Sequence, residues 1–177
     1  MSYHSTSTFR TLGSAAASQP LFTIVNGHAS KVIRIRSIEF YEDATAVLTA
    51  VASQIKVSRG TSISGGTVLS KVDWDTAAAS DALVVCRGNT ASDGGATSSL
   101  LATIATVLWQ SFIMRLHTAV GQVIGHEVDV IPSLCENSPI LLRPSESLSV
   151  HIINPTAASN AATNHYLVSC CWTEDAS

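Results

Sequence analysis

From Leu21 to the C-terminus, apolar residues recur at every second position in short runs, and the runs are separated by Gly, Pro, Asn, Asp and Ser. A period of two marks a strand with one buried face, because successive side chains of a strand point to opposite sides. Leu21–Asn26 is a short apolar run stopped by Asn26-Gly27. Lys31–Tyr41 alternates, with Ile33 and Ile35 on one side and Arg34 and Arg36 on the other, and then changes phase at Ile38 and Phe40. A one-residue slip is what a β-bulge produces, and it is expected at Arg36-Ser37. Ala46–Ser58 keeps Val47, Val51, Ile55 and Val57 in one register. Thr67–Asp73 and Ala82–Arg87 read as shorter strands, with Thr76–Ser80 between them as an Ala-rich helical turn. Residues 59–66 and 88–95 have loop chemistry.

Leu100–Leu116 follows no period cleanly. Its Thr, Ile, Val, Trp and Phe content and its β flanks favour a strand over a helix. Gly121–Ile131 is a further strand, ended by Pro132. Ser147–Asn154 places Leu148, Val150 and Ile152 on one face, and His165–Thr173 does the same with Tyr166, Val168, Cys170 and Trp172. These two runs read as one antiparallel hairpin. Arg143-Pro144-Ser145-Glu146 before them reads as a type I turn, with Pro at its favoured second position. Eight to ten short strands at regular spacing imply an all-β fold, a jelly roll or related antiparallel β-sandwich. The expected layout is one sandwich domain over residues 21–177. Before it, residues 1–20 are Ser/Thr/Ala-rich with Phe9, Leu12 and Pro20 as anchors, which suits either a disordered end or an extended arm that orders on a neighbour.

Charged residues make up only 13% of the chain and the net charge is −3. Roughly 25% is usual. Ser, Thr, Ala, Asn and Gly take the place of the missing charge. A disordered polyelectrolyte and a coiled coil are both excluded by this balance. No basic footprint for nucleic acid is present. Ser147–Thr173 holds no Asp, Glu, Lys or Arg over 27 residues. Charged edges are the usual guard against sheet aggregation, so this stretch is expected to be covered by the core and by another subunit. Cys86, Cys135, Cys170 and Cys171 show no metal or redox spacing, and a reduced, intracellular origin is expected. The N-terminus lacks the layout of a signal peptide. The apolar stretch Leu100–Met114 is 15 residues long, short of the roughly 20 that a spanning helix needs.

The residues offer little chemistry. None of the six histidines stands in an HxH or HExxH spacing. In His126-Glu127-Val128-Asp129, alternation splits the ligands between two faces, so a metal site is not expected. Asp73-Trp74-Asp75 puts two carboxylates on one face, a spacing loosely suited to glycoside chemistry but common in exposed turns. No nucleophile elbow and no phosphate loop occurs, and Cys86 and Cys135 read as small buried hydrophobes. No cofactor, metal or catalytic residue is expected, and the chain reads as a non-enzyme. His151 and His165 fall on the polar side of the last two strands as possible diagonal neighbours, where a pH-sensitive contact could form.

LLRPSESLSVHIINP (Leu141–Pro155) and NHYLVSCCWTED (Asn164–Asp175), behind a Ser/Thr-rich N-terminus, resemble small bacteriophage virion proteins with a jelly-roll-like β-sandwich, in which an RPxExL turn feeds a strand. The resemblance covers mainly Ile38–Tyr41 and residues 115–175. It implies a capsid decoration (cement) protein on the virion surface, assembled in the host cytoplasm. It also implies a homotrimer that binds the major capsid protein, without nucleic acid or membrane. The interface residues expected on this reading are Phe9, Arg10, Leu12, His151 and His165. The alternative is a tail-fibre or other receptor- or glycan-binding module, for which Trp74 with Asp73 and Asp75, and residues 89–93, are the candidates. An enzyme on a β-scaffold, such as a sugar epimerase, is the third reading.

Overall fold

The computed structural model describes residues 3–12, 19–43, 48–60, 63–75, 77, 79–80, 83–88, 101–117, 123–124, 139–153 and 164–175. Among them there is no helix, and the helical turn expected at Thr76–Ser80 lies partly outside the described residues; the strands run in chain order. The first four are β1 (Tyr3–Leu12), β2 (Gln19–Asn26), β3 (Ile33–Asp43) and β4 (Leu48–Gly60). Five short ones follow: β5 (Ile63–Ser64), β6 (Thr67–Val68), β7 (Val72–Asp73), β8 (Val84–Gly88) and β9 (Leu101–Ala102). The last five are β10 (Thr106–His117), β11 (Val123–Ile124), β12 (Ile140–Leu142), β13 (Ser147–Ile153) and β14 (Asn164–Glu174).

Two antiparallel sheets pack face to face. One runs β11-β3-β14-β1-β7, with β12 also on β3, and the other runs β10-β4-β13-β2-β8-β6. Numbering β1, β2, β3, β4, β10, β11, β13 and β14 from 1 to 8, the sheets read 1-8-3-6 and 2-7-4-5. This is jelly-roll order: the chain passes from one layer to the other between β1 and β2, β2 and β3, and β3 and β4. The alternating apolar residues explain it. Phe22, Ile24, Val57, Leu148 and Val150 of one sheet and Ile35, Ile38, Phe40, Val168 and Trp172 of the other are all fully buried. Each such side chain contributes roughly 1.5–3 kcal/mol by leaving water.

The phase change in β3 is a bulge where the sequence places it. Ser37 faces Cys171 and Ile35 faces Trp172, so Arg36 is the extra residue. Both Ile35 and Ile38 thereby reach the core.

Three expectations are corrected. Ser147–Ile153 and Asn164–Glu174 are not a hairpin, because β13 pairs with β2 and β4 while β14 pairs with β1 and β3. Their apolar faces meet across the core from opposite layers, and alternation alone cannot tell that arrangement from adjacent strands. The turn at Arg143–Glu146 is closed by a bond from Glu146 N to Arg143 O, but Ser145 has φ 65°. A positive φ at the third position makes it type II. The charge-free stretch also needs no second subunit over β13. Ser147 through Ile152 are buried within the chain on both sides of the strand, one face by the core and the other by chain that lies over it.

Tyr3–Leu12, within the stretch read as an arm, is extended, and it is bonded along its whole length to β14, from Tyr3 opposite Thr173 to Leu12 opposite Asn164. The sandwich therefore includes residues before Leu21. Residues 13–18 lie outside the described residues, as do His126–Asp129, Cys135 and the expected loop at 89–95.

Candidate functional site

The expected interface residues divide between the layers. Phe9, Arg10 and Leu12 lie on β1, opposite Leu167, Tyr166 and Asn164, and His165 lies opposite Thr11. Four of the five therefore share one end of the β1–β14 ladder. His151 stands apart on β13 in the other sheet, opposite Lys56, so it is no diagonal neighbour of His165. It is also 1% exposed and lies 2.8 Å, through Nε2, from Ser149 Oγ. Burial first, and Lys56 second, push its pKa down to about 4. His151 is accordingly a neutral, internal residue at neutral pH.

One cluster gathers acid, base and hydroxyl groups that lie far apart in sequence. His4 on β1 is 2% exposed and donates through Nδ1 to Asp73 Oδ1 at 2.8 Å. An ionised carboxylate can only accept, which fixes the direction of that bond. Asp73 Oδ1 also accepts from Ser80 N at 2.9 Å. The bond from His4, and then that from Ser80, hold the Asp73 carboxyl below the usual carboxylate range. On its other side, His4 Nε2 lies 4.0 Å from Glu174 Oε1. That oxygen accepts from Ser80 Oγ at 2.8 Å and from Trp172 Nε1 at 3.3 Å. The His4 and Trp172 rings lie against each other, with centroids 5.8 Å apart.

The cluster has the members of an acid–base relay but not its order. In a nucleophilic triad the imidazole's second nitrogen faces a hydroxyl; here it faces a carboxylate, and Ser80 donates to that carboxylate. The arrangement ties β1, β7, β14 and Ser80 together. Among the described residues, no three of His, Cys, Asp and Glu are placed to hold a metal ion. Burial pushes the Cys86 thiol up to about 12 and raises Cys170 as well; neither is a thiolate at neutral pH.

Asp73-Trp74-Asp75 is split by its surroundings. Asp73 turns toward His4, Asp75 accepts from Ala77 N at 2.9 Å, and Trp74 is 66% exposed with Nε1 donating to Ser5 Oγ at 3.0 Å.

The Arg-Pro-Ser-Glu turn is held from three directions. Glu146 accepts from Arg143 N and pairs with Arg59, while Ser145 N donates to Asn26 O at 2.8 Å. Burial raises the Glu146 carboxyl, but the Arg143 amide and the Arg59 charge outweigh it and hold the group low. Asn26 is fully buried and donates through Nδ2 to both Lys31 O and Leu142 O at 2.9 Å. Glu146 thus helps fix the end of the sandwich.

The exposed surface has one feature that the sequence reading missed. Among the described residues, the large exposed hydrophobics sit along two narrow sides of the sandwich. Val68, Val72, Trp74 and Leu83 lie at the β6–β7 side, while Val107 and Leu108 lie at the start of β10 and Ile104 just before it. β10 is an end strand, and among the described residues β4 is its strand neighbour on one side only. Thr106–Met114 carries no charge. A bulge at Leu108, between Val107 opposite Ser58 and Trp109 opposite Val57, interrupts the ladder there. The signal was available in the uncharged run from Leu100 to Met114, but its edge position depends on strand order.

Compared with known proteins, the chain matches no family model and no curated sequence.

Proposed function

We propose that this chain is a non-enzymatic structural protein of a bacteriophage virion, which decorates and cements the capsid by binding the major capsid protein and associating with itself as a homotrimer. The observation that carries this reading is the β10 edge. Its uncharged run Thr106–Met114, with Val107 and Leu108 exposed, carries no Lys or Pro, two of the guards that monomeric sheets place on their edges. Protein contacts cover such edges. Jelly rolls serve in capsids, lectins and cupins alike, so the fold is compatible with this role without selecting it. On a capsid lattice, weak individual contacts add through effective concentration. The protein would reside on the virion surface after assembly in the host cytoplasm, with no nucleic-acid or membrane partner.

The test is co-sedimentation of purified protein with assembled capsids of the encoding phage, followed by imaging of the particles. Saturable binding at symmetry-related surface positions is expected. Failure to bind capsids at any concentration would remove the proposal.

A second reading, a receptor- or glycan-binding module, is favoured by one residue. Trp74 is 66% exposed beside Asp73 and Asp75, and a flat indole next to carboxylates suits a sugar face. Glycan binding that is lost in Trp74→Ala while capsid binding is unchanged would favour that reading.

A further inference from the structure

Part of the outer face of the β10-β4-β13-β2-β8-β6 sheet, across β2, β13 and β4, is polar yet sealed. Thr23 on β2 lies opposite Ser149 on β13, and Ser149 lies opposite Ser58 on β4. All three are 0% exposed, and their row points away from the core that Phe22, Val57 and Val150 fill. Part of the cover is the short β5–β9 ribbon. β9 packs against β2, and the chain after it crosses β4, where Ala105 N donates to Arg59 O at 2.9 Å. A Cβ on Gly60 would stand 2.7 Å from Thr103 O, so glycine is what lets this segment lie so close.

Under this cover the hydroxyls are unevenly served. Ser58 Oγ and Ser149 Oγ are 3.1 Å apart, and Ser149 Oγ is 2.8 Å from His151 Nε2. Thr23 Oγ1 is fully buried and has no hydrogen-bond partner within the protein. Buried hydroxyls are bonded as a rule, to protein or to ordered water. Directly opposed residues in an antiparallel pair stand roughly 4.5–5.5 Å apart at Cβ, so a water on the Thr23 hydroxyl lies within reach of the Ser149 side chain.

We propose that the Thr23–Ser149–Ser58 row binds a buried water molecule, which accepts from Thr23 Oγ1 and donates to Ser149 Oγ. Two polar partners are enough to hold an internal water. The ligand is small because the three residues are sealed. Lys56 and Arg87, the charged residues opposite His151 and Thr23, are only half-buried. This water would belong to the native architecture, and it does not depend on the capsid reading.

The experiment is water–protein cross-relaxation NMR on the full chain, with thermal unfolding of Thr23→Val and Thr23→Ser. A long-lived water signal at the Thr23 methyl is expected. Thr23→Val, which keeps the shape and removes the hydroxyl, should lower Tm by about 2–4 °C, the shift typical of one lost interaction in a domain of this size, and Thr23→Ser should keep the signal. Absence of the water signal, or a Tm unchanged or raised in Thr23→Val, would overturn the proposal, because a bare hydroxyl is better replaced by a methyl.

Discussion

At the residue scale, burial decides how His151 behaves. Its folded pKa of about 4 lies well below the ordinary value of 6.5. Between those values the unfolded chain takes up a proton that the native state refuses. Stability is therefore full above pH 6.5 and falls as the pH drops toward 4, by up to roughly 3 kcal/mol for a shift of this size. Urea unfolding from pH 7 to pH 4 should show this loss in the wild type and a shallower slope in His151→Gln. Equal slopes would mean that His151 does not titrate as its surroundings dictate. The sequence reading placed this histidine on a polar, contact-making side. Its neighbours Ser147 and Ser149 are polar too, and alternation cannot reveal that a polar face is covered.

At the element scale, β1 and β3 show the limits of pattern. The phase change of β3 was legible, with the bulge at Arg36, because its isoleucines and Phe40 record it, although the strand is Ile33–Asp43 where Lys31–Tyr41 is expected. β1 was not legible as a sandwich strand. It has no apolar alternation, and its inward residues at the β7 end are His4 and Thr6, each satisfied by a distant partner, Asp73 Oδ1 at 2.8 Å and Ser70 O at 2.7 Å. Deletion of residues 1–12 should therefore unfold or grossly destabilise the domain, since it uncovers one side of β14 and leaves Asp73 without His4. Circular dichroism and a thermal melt would check this. A cooperative melt within a few degrees of the wild type would show instead that β1 is dispensable and free to serve as an arm.

At the scale of the whole molecule, the scarcity of charge has two causes. In β13 it follows from burial on both faces of the strand. In β10 it falls on an end strand, and there a partner is the simplest cover. On the proposed self-association, Leu108→Lys with Val107→Lys should shift the light-scattering mass toward the monomer. Tm should change little, because exposed substitutions away from special features usually fall within about 0.5 kcal/mol. A wild type that stays monomeric at every concentration would count against self-association.

The sequence by itself determined that the chain is all-β, where most long strands lie, and which of their faces are apolar, because a two-residue period and turn chemistry are local properties. The tertiary structure alone decided which strands are neighbours. It sent β13 and β14 to opposite layers, drew the N-terminal strand beside β14, buried a serine and histidine face, and left β10 on an edge. Those outcomes rest on pairings between residues far apart in the chain, such as His4 with Asp73 and Thr23 with Ser149. Hydrogen-bonded register joins them, and no local pattern encodes it.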